Sequence, residues 1–452
     1  MNLSVIRTGA IKMKISNFTA SGLERVTEWI KDNRINDLTE DELKEALKTV
    51  NISFALENIN RAQSTLLCEL KDSYVQQSQR YVSLEEDAYK IPDLSSKDEA
   101  RGEDLLKQAF KLYEAMSELK EGEFNGRPKL ENYKYGIPIE DARYILPLAT
   151  TTNISLTMTG NKLYDLYTLL FTKRYAALFK ELREKITESL PDSLIRLLPT
   201  DYNNNNKLNK IAELYKDDLE KLTAEENMVL LNSFDKLDLK VGLGAATSTS
   251  AQPPSKKLKS WGDEAETKAR DLAERVLGYG HKSIAEQART TFGMMCSLVT
   301  YHQQIRHRLP ELHRERLAKL LLNERPVLIP PTIKDTKFEA GFVDLVKEVR
   351  KFREMIYQNY GLDKALAFLL NCDQIKLIIS TNARIDQEML SERICFNAQW
   401  EIRELSTKKL LKLRELSDIL YENALPSCVE GECKEGKLSC GRQQEMRERF
   451  LD

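Results

Sequence analysis

Long apolar runs that end in polar, basic tips set the hydrophobic pattern of the chain. The two longest are LKTVNISFALENINRAQSTLLCELKDSYV (47–75) and EQARTTFGMMCSLVTYHQQIRHR (286–308). Each predicts a strand or a buried helix leading into its polar end. DARYILPLA (141–149) and TNISLTMT (152–159) read as extended, the second by partial alternation. QIKLIIS (374–380) reads as a buried strand, and Asn382 then stands at a helix N-cap position. One long amphipathic helix, or two, is expected from there to residue 425. KLTAEENMVLLNSF (221–234) reads as helix and KLDLKVGLGAA (236–246) as a new first strand. DYNNNNK (201–207) reads as irregular and TSTSAQPPSKK (247–257) as a loop.

A boundary near 230 divides the chain into 1–229 and 230–452. The halves repeat one order: a charged helical region, a long apolar segment, a strand pair and a long helix. The expected class is α+β, two similar units in tandem, each a β-sheet core with long helices. At 452 residues, two domains are also the size expectation.

Composition narrows the function classes. The net charge is −2, which argues against a dedicated nucleic-acid binder but leaves room for a local anion site. No apolar run approaches the roughly 18–20 residues of a membrane span. The N-terminal residues lack a signal-peptide pattern, so a cytoplasmic location is expected. The seven cysteines then read as mostly reduced thiols.

All four histidines, His281, His302, His307 and His313, fall within one short stretch. Arg306 and Arg308 flank His307. Two planar, permanently charged guanidinium groups around an imidazole suit an anion or a ring with carbonyl acceptors. An isolated Arg-His-Arg is more often a solvated basic face. Its context is specific here. GHKSIAEQARTTF (280–292) followed by QQIRHR (303–308) resembles the flavin-dependent thymidylate synthases. Their pattern is GH-x-S-x-x-E-H, a long apolar helix, then Q-x-x-R-H-R; Gln287 replaces the last histidine of the first segment. The family continues into S-x-R-Y, but Arg316 and Ala318 occupy the serine and arginine positions.

The first half resembles the same family through ENINRA and SYVQQSQRYV (73–82), with Ser78 to Tyr81 intact. There Cys68, Glu69 and Leu70 stand for Arg-His-Arg. GIPIEDARYILPLATTT (136–152) resembles GIP-x-EDAR-x-x-LP, with Arg143 in place. The N-x-R site that follows is replaced by Thr159, Gly160 and Asn161, and the later arginine by Leu170. In the second half Leu366 replaces the EDAR arginine. Asn382-Ala-Arg384 is intact, and Arg393 follows nine residues on. Glu388 stands where the family has a flavin-contacting asparagine. NAQWEIREL (397–405) and PSCVEGECKEGKLSCGR (426–442) are further matches.

The losses are complementary. The family's site lies between subunits of a homotetramer, so the resemblance implies that a fused duplicate can divide the labour. It implies that Gln76, Gln77, Ser78, Gln79, Arg80, Arg143, Gln303, Arg306 and Arg393 bind dUMP. By the same resemblance Arg393 would be the catalytic residue, stabilising charge on the uracil ring. Ser283, Glu286, Arg306, His307, Arg308, Asn382 and Arg384 would hold FAD, and His281 would lie on the folate side. NADPH and methylenetetrahydrofolate are the implied co-substrates, and a homodimer of fused chains is the implied assembly. A non-catalytic flavin- or nucleotide-binding homologue is the alternative. Cys428, Cys433 and Cys440 read as free thiols or a local disulfide rather than a metal site, and the histidines do not form a metal motif.

Overall fold

The computed structural model describes residues 12–80, 82, 84–117, 137–205, 207–322, 325–436 and 439–451. Tyr81 and Gly136 of the motifs above lie outside them.

Alternation builds the first sheet. β2 (Asn51–Asn60) buries Ile52, Phe54 and Leu56, and β4 (Thr151–Thr159) buries Ile154, Leu156 and Met158, each at every second residue. They pair antiparallel, flanked by β1 (Lys14–Ser21) and β3 (Ser73–Gln76), in the order β1-β2-β4-β3. The second sheet contains β5 (Met228–Ser233), β6 (Arg289–Ser297), β7 (Glu311–Arg314) and β8 (Gln374–Asn382). Its order is β5-β6-β8-β7, the same arrangement repeated.

The inner strands run directly into helices. β2 feeds α1 (Arg61–Cys68), where Asn60 and Gln63 form a capping box; β6 feeds α4 (Leu298–Gln304), capped by Ser297. β4 feeds α3 (Gly160–Leu170), and β8 feeds α6 (Ala383–Arg393). The expected Asn382 cap is present: its Oδ1 accepts from Ile385 N at 3.0 Å. Between these pairs lie α2 (Ser96–Met116) in the first half and α5 (Glu339–Tyr360) in the second. α7 (Trp400–Leu416) follows α6 after a break, so the long C-terminal helix is more than one helix.

The compact units do not follow the division at 229/230. One unit combines the described residues before Asn206 with Leu317–Asp373; the other combines Lys207–Arg316 with the chain from Gln374 onward. In the first unit α2 packs against α5. A Cβ at Gly102 would lie 3.1 Å from Phe368 Cζ and 3.3 Å from Phe352 Cε1, so the helix approaches that aromatic pair without a side chain between. Arg101–Glu348 at 2.9 Å and Tyr360 Oη to Asp98 at 2.6 Å join the two helices. Beside them the two repeats pair reciprocally. Leu148 N donates to Leu369 O and Asn371 N to Leu146 O; Ala149 N donates to Ala367 O and Cys372 N to Tyr144 O. Each bond maps onto its mate by a shift of 223 residues, the pattern of a local two-fold axis.

Four local expectations are corrected. Residues 228–233 form strand β5 rather than helix, because their backbone groups pair with β6. Residues 237–249 form a helix rather than a strand: Leu237, Val241, Ala245 and Ala246 recur on one buried face. A Cβ at Gly242 would lie 2.2 Å from Ala269 O, so this glycine lets the helix close onto Ala265–Gly278. This helix takes up the start of the expected loop, and another begins at Pro254, where a missing N–H costs nothing. Residues 141–149 are not extended throughout: a helical turn, Ile139–Ala142, continues as a 3₁₀ turn, Arg143–Ile145.

Candidate active site

Within the first unit, the motif residues after β3 meet the EDAR turn. Arg80 Nε donates to Glu140 Oε2 at 2.5 Å, and its backbone N–H donates to Ser78 Oγ at 3.2 Å. Arg143 is buried, and its Nε donates to the Glu140 carbonyl at 3.0 Å. One glutamate therefore orients both arginines. Asp141 lies beside them with Thr332 Oγ1 donating to it at 2.8 Å. Burial, then the adjacent Glu140, pushes its carboxyl up to about 7. Two guanidinium groups are thus held side by side at this turn, a donor set that suits an anion such as a phosphate. Gln76 and Gln77 are engaged elsewhere: Gln76 Nε2 donates to Ser64 Oγ at 2.7 Å, and Gln77 Oε1 accepts from Asn153 Nδ2 at 3.1 Å.

Within the second unit, the Arg-His-Arg segment follows α4. Buried Glu401 on α7 anchors the start of that helix, accepting from Ser297 N and Thr300 Oγ1, both at 2.7 Å, and from the Ser297 hydroxyl. At the other end Arg393 Nε donates to His307 Nε2 at 2.7 Å. His307 accepts at Nε2, so the neutral ring carries its proton on Nδ1. Burial, then Arg393, Lys409 and Arg306, pushes its pKa down to about 3. At neutral pH it is an uncharged group among cations. Arg306 and Arg308 are exposed and Gln303 is buried.

At the start of α6, Arg384 Nη1 pairs with Glu286 Oε1 at 2.6 Å, tying the helix to the 3₁₀ turn Lys282–Gln287. His281, Ser283 and Glu286 are all exposed on or beside that turn, as is Glu388 on α6. Beneath α6 lies a group the sequence reading did not single out. Lys409 and Asp386 form an ion pair at 2.6 Å with side chains 1% and 0% exposed. Thr381 Oγ1 donates to Asp386 Oδ2 at 2.8 Å. Glu140 and Asn371 are the other site-adjacent groups the sequence reading passed over. Glu140 was visible in the EDAR motif itself.

The capped helix starts set the register between repeats. Asn60 and Ser297 are equivalent caps, an offset of 237 residues. Arg306, His307 and Arg308 therefore answer to Glu69, Leu70 and Lys71, one residue beyond the Cys68–Leu70 expected from sequence. The inserted residue lies in the loop before β7, because Ser73 and Glu311 hold equivalent positions at an offset of 238. Thr159 and Asn382 are equivalent helix caps, which places Asn161 opposite Arg384 and Leu170 opposite Arg393. Those sequence assignments stand unchanged.

The model of the thymidylate synthase complementing protein family matches twice, over residues 7–192 and 230–417. The chain belongs to this family. Two matches in one chain fit a tandem duplication, as does the shared strand order of the two sheets. The flavin-dependent thymidylate synthase of Clostridium tetani is 30% identical over 210 residues, covering 42% of this chain and 84% of that protein. Those of Pyrococcus abyssi and Thermococcus kodakarensis are 32% and 35% identical, covering 39% and 36% of this chain and 78% and 72% of theirs. A typical relative thus spans about one repeat. Among the described residues, no three His, Cys, Asp or Glu side chains group closely enough to hold a metal. The seven cysteines are free thiols. No described helix is long and apolar enough to cross a membrane.

Proposed function

We propose that the chain is a flavin-dependent thymidylate synthase that methylates dUMP to dTMP. Methylenetetrahydrofolate is the carbon source, FAD the hydride carrier and NADPH the final reductant. The first half supplies the nucleotide side of each site and the second half the flavin side, giving two sites in a dimer of fused chains. The sorted losses carry this reading. The first half keeps Ser78, Arg80 and Arg143 and has Glu69, Leu70, Lys71, Asn161 and Leu170 where the second keeps Arg306, His307, Arg308, Arg384 and Arg393. The second half has Arg316, Ala318 and Leu366 where the first keeps its clamp. Decay without function would not sort residues this way.

The residues present suit their ligands. Arg80 and Arg143, oriented by Glu140, fit a nucleotide phosphate. Exposed Arg306, Arg308 and Arg384 offer cations for a dinucleotide diphosphate, Glu286 holds the Arg384 guanidinium, and the Ser283 hydroxyl and Asn382 amide can donate to the cofactor. The flavin, when bound, supplies the redox chemistry. Neutral His307 aims the Arg393 guanidinium without adding a competing charge. Arg393 would then stabilise negative charge as it develops on the uracil ring. Gln303 contacts the nucleotide from the flavin side, and His281 faces folate.

Purified chain should be yellow and hold one FAD per chain. Two per chain, or none, would sink the composite site. Mixing Arg80→Ala chains with Arg306→Ala chains should restore activity if each site draws on two chains. Absence of rescue, with one FAD retained, would place each site within a single chain. Glu388, in the place of a flavin-contacting asparagine, favours a second reading, a homologue that binds flavin and nucleotide without turnover. Growth of a thymidine auxotroph on the cloned chain separates the two.

A further inference from the structure

We infer that Asn371 is a positioning residue of the nucleotide clamp, supplied by the repeat that has lost its own clamp. The inference rests on the reading of Gln79, Arg80 and Arg143 as the nucleotide side.

Asn371 is fully buried at 0% exposure. A buried primary amide costs stability unless its polar atoms are used; the Asn371 Oδ1 has no partner among the described residues, so its Nδ2 contacts account for the amide. Its Nδ2 donates to the Arg143 carbonyl at 2.9 Å and to Gln79 Oε1 at 3.3 Å. A carbonyl can only accept, which fixes the Asn371 amide with nitrogen toward Arg143. That in turn turns the Gln79 oxygen toward Asn371. Gln79 is 6% exposed, and its buried Nε2 has no hydrogen-bond partner among the described residues. Asn371 thus holds the Gln79 amide in the orientation that keeps a donor in reserve for a ligand. It also closes a chain of contacts running Arg80–Glu140–Arg143–Asn371–Gln79.

The local two-fold axis supplies a control within the molecule. The reciprocal bonds Leu148 N to Leu369 O and Asn371 N to Leu146 O make Leu148 the counterpart of Asn371. Carried across the same axis, Arg143 and Gln79 become Leu366 and Leu317, positions where the clamp is lost. The polar residue therefore stands on the side that keeps the clamp, and an apolar one on the side that lost it. The division of labour extends to a supporting residue that crosses between repeats, and both belong to the first unit.

The test is Asn371→Leu, which installs the counterpart residue. Loss of one buried hydrogen-bonding amide should weaken dUMP binding about five- to tenfold. The KM for dUMP should rise with kcat nearly unchanged, and FAD content per chain should stay at the wild-type value. Gln79→Leu attacks the same bond from its other end, so Gln79→Leu with Asn371→Leu should cost little more than Gln79→Leu alone. Unchanged dUMP affinity in a folded Asn371→Leu chain would overturn the inference. So would parallel loss of FAD and dUMP, or fully additive losses in the double variant. If Asn371→Leu is insoluble, Gln79→Leu with normal dUMP affinity overturns it equally. A wild-type chain that binds no dUMP would instead overturn the reading of the site, and the positioning role with it.

Discussion

The buried pair beneath α6 allows a quantitative test of what holds that helix in place. Lys409 donates to Asp386 at 2.6 Å and to Thr381 Oγ1 at 3.2 Å, and its ammonium lies 5.3 Å from the centre of the Phe292 ring. Lys409→Met removes the counter-ion and leaves a buried carboxylate with the Thr381 hydroxyl. Breaking a buried pair from one side costs about 3–5 kcal/mol. For a unit of this size each kcal/mol lowers the melting temperature by about 2–4 °C, so a fall of roughly 6–20 °C is expected. Asp386→Leu should cost a similar amount by leaving the buried ammonium without its counter-ion. Asp386→Leu with Lys409→Met replaces both charges by apolar groups of similar shape, and should recover to within about 1–2 kcal/mol of wild type. Urea unfolding followed by tryptophan fluorescence suits the test, since Trp261 and Trp400 belong to this unit. A double variant as unstable as the sum of the single ones would refute the reasoning, because the cost would then come from lost packing and not from an orphaned charge.

Three further outcomes follow from the same contacts. With its pKa lowered to about 3, His307 should show no imidazole titration by NMR between pH 5 and 8. Its contribution to stability is fully present above the ordinary value of 6.5 and is lost as pH falls from there toward 3, since only the unfolded chain takes up the proton in that window. Asp141 has the opposite sign: raised to about 7, it contributes stability below its ordinary value of 3.8 and loses it as pH rises to about 7. Asp141→Asn should therefore improve urea resistance relative to wild type at pH 8 more than at pH 5. Gly242→Ala should destabilise by about 1–3 kcal/mol or more, because the new methyl meets the Ala269 backbone at 2.2 Å. Gly244→Ala should be tolerated, because its nearest neighbour is the flexible Gln287 side chain at 3.0 Å, and thermal melting distinguishes the two.

What was legible in the sequence was local. Alternation over 152–159, the apolar run at 374–380 and the Asn382 cap each depend on neighbouring residues, and all appear in the structure. The ordered motifs gave the family and the two repeats. Failures came where a distant partner decides. Met228–Ser233 is a strand because β6 lies beside it, and Leu237–Thr249 tolerates two glycines because another helix packs into the space at Gly242. The one-residue slip at Glu69–Lys71 arose because the extra residue before β7 leaves no mark in composition. Asn371 belongs to none of the sequence motifs, and its hydrogen-bond partners lie 292 and 228 residues away.

The exchange of Leu317–Asp373 into the first unit has a consequence for how the protein is made. The first four strands leave the ribosome long before the segment that completes their unit has been translated. At about 5–20 residues per second, synthesis from Asn206 to Asp373 takes roughly 8–33 s. Through that interval the stretch of α2 around Gly102 that receives Phe352 and Phe368 lacks those two partners. The nascent chain therefore depends on delayed closure and on protection of that surface. A gene cut at the repeat boundary would produce an N-terminal fragment that waits for a partner it can receive only from another polypeptide.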